Sequence, residues 1–169
     1  NGTLSGRRAV GTQTDWHWEV TEPMATYLAT LVIGDYDLTE GSTPDGVPYL
    51  YAVSENLKGQ VRKNALASLR ITPEVTDFFA AKFGEYPFSS VGGTLLNSSL
   101  DFALENQTRP NYSKVFFLTG ADKEVVAHEI SHMWWGKSVS LRGWRHVWLK
   151  EGFATWSSLL YLAAEDGAD

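Results

Sequence analysis

His128 and His132 stand four positions apart, with Glu129 directly after the first, in the segment HEISH. Residues at that spacing share one face of a helix, so both imidazoles can aim at a single point. Neutral imidazole suits a borderline-soft divalent cation such as zinc. Glu129 is turned about 100° from His128 around a helix axis, which puts its carboxylate beside such an ion rather than on it. A base for a water held by the metal belongs in that place. Catalytic zinc sites commonly take three protein ligands, so a third is expected from a separate element. Glu151, in WLKEGFA, has eighteen residues between it and His132, enough for a helix end, a loop and a returning helix. The metal ligands are therefore read as His128, His132 and Glu151, holding one Zn2+. Glu129 is the general base, taking a proton from the attacking water and returning it to the leaving amine. The bland alternative is a pair of solvated histidines on an ordinary helix. Val125, Val126, Ile130, Met133, Trp134 and Trp135 around them oppose it, because histidines buried among such residues need partners.

The elements that must position these groups are legible in outline. Trp16, Trp18 and Val20 alternate with His17 and Glu19, the two-residue period of a half-buried strand. Tyr27 to Ile33 and Tyr49 to Val53 are two further strand candidates, and residues 1–54 read as all-β. The character changes at Glu55. Residues 57–70 predict a helix, and Thr72-Pro73-Glu74 starts a second one, with Thr72 as its cap and Gly84 as its end. Lys114 to Leu118 predicts a strand. Asp122 then caps a helix reaching about Trp135 with Gly136 as its stop, and a last helix runs from about Leu149 to Glu165. Trp134, Trp135, Trp144 and Trp148 are expected in the core around these helices.

Composition bounds the function classes. The chain has 169 residues and a formal charge of -6, and no Lys/Arg cluster reverses that sign locally, so nucleic-acid binding is not expected. It has no cysteine, which removes thiolate metal sites and cysteine nucleophiles and leaves the compartment open, cytoplasmic or secreted. No apolar run approaches the roughly 18 residues of a transmembrane span. The chain opens at Asn1 and stops at Asp169 in a helical pattern, which suggests a piece of something longer.

HEISHMWWGKSVS followed by WLKEGFATW resembles the zinc signature of the aminopeptidase N family, the gluzincin zinc aminopeptidases. FALENQTRP, residues 102–110, is similar to that family's Gly-Ala-Met-Glu-Asn substrate motif, and KFGEYPFSSVGG before it also matches. The pieces agree in order and spacing over residues 72–160. The resemblance implies an α+β fold, a portion of a thermolysin-like catalytic domain with a small mixed sheet and zinc-binding helices. It also implies two units: residues 1–54 as the last strands of an N-terminal β-domain, and residues 55–169 as the first part of the zinc peptidase domain. The activity implied is removal of N-terminal residues from peptides, with a related hydrolase acting on a non-peptide substrate such as an epoxide as the alternative. Glu105 would contact the free α-amino group of the peptide, and the backbone around Ala103 and Leu104 would pair with it as an added strand. The role of Glu105 comes from the resemblance alone; without it, a solvated loop carboxylate is the simpler reading. Phe102 and Leu104 depart from the family's Gly and Met, and Trp156 and Ser158 from its Tyr and Glu. Relatives also use a tyrosine beyond the third ligand to stabilise the tetrahedral intermediate. It falls outside this chain, which by itself is expected to be weak or inactive.

Overall fold

A computed structural model describes residues 1–167; residues 168–169, the end of the expected second unit, lie outside them. The fold is α+β. Strands β1 (Thr3–Val10) and β2 (Gln13–Glu19) form an antiparallel hairpin of their own. Strands β3 (Tyr36–Ser42), β4 (Pro48–Ser54), β5 (Val91–Leu96) and β6 (Asn111–Ser113) form a four-stranded mixed sheet in that order. β3 runs antiparallel to β4, while β4, β5 and β6 are mutually parallel. A parallel step needs a crossover. Helices α1 (Gly59–Leu69) and α2 (Thr72–Phe83) supply the one between β4 and β5. Gly92 allows those two strands to meet, because a Cβ there would stand 1.9 Å from the Leu50 carbonyl oxygen. The strand pairing thus crosses residue 54, where the two units were expected to divide.

Helices α3 (Lys123–Ser131) and α4 (Val147–Glu165) pack beside α2. The core lies between helices and sheet, where Leu69, Val75, Phe79, Leu95, Tyr112 and Ile130 are essentially inaccessible to solvent. No helix among the described residues is long and apolar enough to cross a membrane.

Several elements differ from their sequence pattern. Tyr27–Ile33 is not a strand: Thr26–Leu28 forms a 3-10 turn, and the residues after it join neither sheet. Side chains satisfy its backbone instead. Leu28 O accepts from the amides of Asn1 and Asn106, and Thr30 N–H donates to Asn1 Oδ1. The apolar run at Lys114 is likewise a 3-10 turn, Lys114–Phe117, which drives Phe117 fully into the core. A short apolar run fits a strand or a buried turn equally, and tertiary packing decides between them. The second helix is capped by Ile71 rather than Thr72, because the chain leaves α1 already in helical conformation at Arg70 and Ile71. Trp134 is buried as expected, whereas Trp144 and Trp148 are 64% and 68% exposed.

Candidate metal centre and active site

The site begins with the cap of α3. Asp122 accepts a hydrogen bond from Val125 N–H at 3.0 Å, satisfying one of the free donors at the helix start. Regular α-helix ends at Ser131, four residues short of the expected Trp135. His132 still keeps helical angles, and its N–H reaches His128 O. The i, i+4 geometry therefore holds. The chain then tightens and stops at Gly136, whose φ of +116° favours glycine.

α4 returns antiparallel to α3. Lys123 at the start of α3 pairs with Glu165 at the end of α4, and Trp135 stacks on Phe153 with ring centroids 4.8 Å apart. Trp135 Nε1 also donates to Ser157 Oγ. This docking brings Glu151, in the second turn of α4, opposite the two histidines.

The three candidate donors form a tight triangle. His128 Nε2 and His132 Nε2 are 3.2 Å apart, and each lies 3.4 Å from Glu151 Oε2. Tetrahedral bonds of 2.0–2.1 Å to one ion require donor separations of roughly 3.3–3.4 Å. The triangle fits. His132 Nδ1 lies 2.9 Å from the Trp135 carbonyl oxygen, which can only accept, so the ring proton sits on Nδ1 and Nε2 presents its lone pair. Burial holds the His132 pKa below its ordinary value and favours this neutral form. A hydrogen bond from His128, with Lys150 also lending a donor, holds the Glu151 carboxyl well below the usual range. The His/His/Glu group is thus one that could hold a metal ion.

Glu129 lies beside this triangle, 6% exposed, and its Oε2 has no hydrogen-bond partner among the described residues. Burial pushes its carboxyl up to about 7, against the pull of His128. A buried carboxylate poised near neutrality and short of a partner is suited to taking and returning a proton.

Glu105 reaches the same site from the sheet edge. Leu104 exchanges both backbone hydrogen bonds with Asn111 of β6, at 2.9 and 2.8 Å. In such a pair the backbone groups of the flanking residues, Ala103 and Glu105, point to the opposite edge. The ladder groups of Leu104 are thus already used, and its exposed side chain is what it offers outward. A buried polar run anchors the segment that follows: Asn106, Thr108 and Arg109 bond to Leu28, Gly2 N–H and Gly2 O respectively.

Two lysines were missed by sequence reasoning. Lys150 Nζ contacts Glu105 Oε1 and lies 2.8 Å from Glu151 Oε1. Lys137 is also buried, with no partner for its Nζ among the described residues, and burial lowers its pKa to about 7 despite nearby Glu105 and Glu129. Their positions beside Gly136 and Glu151 were the available signal; their residue type, most often solvated, concealed it.

Residues 67–168, more than half of the chain, match the Peptidase family M1 domain. The chain is 29% identical over 160 residues to Aminopeptidase M1-A of Oryza sativa subsp. japonica, covering 89% of this chain and 18% of that protein. It is 30% identical over 159 residues to human Endoplasmic reticulum aminopeptidase 2, covering 88% of this chain and 16% of that protein. It therefore spans less than a fifth of the length of either relative. A crystal structure of an M1 zinc metallopeptidase variant from Deinococcus radiodurans, bound to a Tyr-Ser-Ala substrate, superposes with a TM-score of 0.77. That likeness covers 99% of this chain and 38% of the other at 23% identity, and speaks for the fold alone. With the family domain matched over most of its helical part and the His/His/Glu triangle in place, the chain belongs to peptidase family M1.

Proposed function

We propose that this protein is a zinc aminopeptidase that removes N-terminal residues from peptides. One Zn2+ would be held by His128 Nε2, His132 Nε2 and Glu151 Oε2, and the triangle they form at tetrahedral spacing carries the reading. When bound, the ion supplies Lewis acidity, which polarises the scissile carbonyl and makes a water easier to deprotonate. Glu129 accepts the proton of the attacking water and delivers it to the leaving amine nitrogen. Its unpartnered Oε2 and its pKa near 7 suit both steps. Glu105 pairs with the α-ammonium of the substrate, which favours chain ends over mid-chain bonds. Ala103 offers backbone groups at the sheet edge and Leu104 a side chain. Residues 55–169 would form the first part of the peptidase domain and residues 1–54 would be strands from a preceding β-domain, with β3 and β4 extending the peptidase sheet. The names of the two aminopeptidase relatives support a peptide as substrate class.

Metal analysis of the purified protein tests the centre: one zinc per chain is expected, and His132→Ala should lose it. Hydrolysis of an aminoacyl anilide, compared with its N-acetylated form and with an epoxide, tests the activity. A preference for the epoxide, or equal rates on both anilides, would overturn the aminopeptidase reading.

A further inference from the structure

Lys150 is 5% exposed, and its ammonium rests on two carboxylates at once, Glu105 Oε1 and Glu151 Oε1. The position is built. A Cβ added at Gly136 would stand 3.0 Å from Lys150 Cδ and 3.4 Å from its Cβ, so the lysine stem lies where that glycine has no side chain. A lysine ammonium and a peptide N-terminus are the same kind of group, a cation whose N–H donors seek a carboxylate. Two such cations on one partly buried carboxylate repel each other strongly, because little water screens them.

We propose that Lys150 is a specificity-determining residue: it acts as a resident ammonium on Glu105, so that a substrate α-ammonium binds only by displacing it or sharing the carboxylate. This rests on the reading of Glu105 as the amine anchor. Selection for free N-termini is then weaker than Glu105 alone would confer, and Lys150 sets how much weaker. The same cation ties Glu105 on the sheet edge to Glu151 on α4, so the amine anchor and the metal-facing carboxylate share one counter-ion.

The test is an NMR titration of the protein, metal-free and zinc-loaded, with L-phenylalaninamide and with its N-acetyl derivative, which differ only at the α-nitrogen. Lys150→Met should raise the affinity for the free amine about tenfold, the scale of one charge-assisted hydrogen bond. Affinity for the acetylated compound should not change. Lys150→Arg, which keeps the cation, should stay within about twofold of wild type. If Lys150→Met does not fold, judged by its amide spectrum, Lys150→Gln carries the same expectation. Unchanged or weaker amine binding in the folded neutral variant would overturn the proposal and leave Lys150 as a strut. Glu105→Gln separates the two levels: if it leaves the ratio of amine to acetyl affinity at the wild-type value, the amine-anchor reading fails and takes the proposal with it.

Discussion

Glu129 is the residue on which turnover should depend most sharply. Glu129→Gln keeps the shape of the side chain and removes its basicity, so turnover should fall by about 100- to 10,000-fold while zinc stoichiometry stays at one. Activity comparable to wild type would exclude it as the base. The histidines carry a pH signature. Burial by itself would lower the His128 pKa, but the hydrogen bond to Glu151 and the charge of Glu129 outweigh it, and the net shift is upward from 6.5. His128 therefore begins to take up a proton at a higher pH than an ordinary imidazole, and a protonated imidazole cannot ligate. Zinc affinity should fall as pH drops, by about tenfold per unit for each proton displaced. Competition against a zinc-binding dye at pH 7.5 and 5.5 measures this, and equal affinities would remove the histidines from the site. His128, Glu129 and His132 were legible because helical spacing is a local property. Lys150 was not, since its two partners lie on different elements.

At the scale of elements, α3 and α4 matter because each carries part of the donor triangle. The cap of α3 is a single side-chain contact, Asp122 to Val125 N–H. Asp122→Ala should cost about 1 kcal/mol of stability, read as a lowered urea midpoint with an unchanged slope. An unchanged midpoint would mean that packing, and not the cap, holds the start of this helix. Helix α3 was visible in the sequence because its cap, its glycine stop and its apolar periodicity agree. The runs at Tyr27–Ile33 and Lys114–Leu118 carried no such agreement. The side chains of Asn1 and Asn106 satisfy the backbone of the first, and the burial of Phe117 set the conformation of the second.

For the molecule as a whole, the donor set bridges two helices that touch only through tertiary packing, so a bound ion should act as a staple between them. Zinc at about one hundred times its dissociation constant would add roughly 2.7 kcal/mol. For a chain of this size that corresponds to a melting temperature roughly 5–10 °C higher. Scanning fluorimetry with and without zinc measures it, and His132→Ala should abolish the gain. A gain that persists in this variant would place the ion elsewhere.

The sequence by itself pointed to the candidate donor set, its division between two helices and the family resemblance, because each is carried by residue type and by spacing along the chain. The tertiary structure alone decided that β3 and β4 share a sheet with β5 and β6 across residue 54, and that Asn111 takes the ladder groups of Leu104. It also placed one ammonium between Glu105 and Glu151, a contact that joins residues 45 positions apart in the chain. These are through-space pairings between distant segments. No local pattern encodes them; they follow from the packing together of segments far apart in the chain.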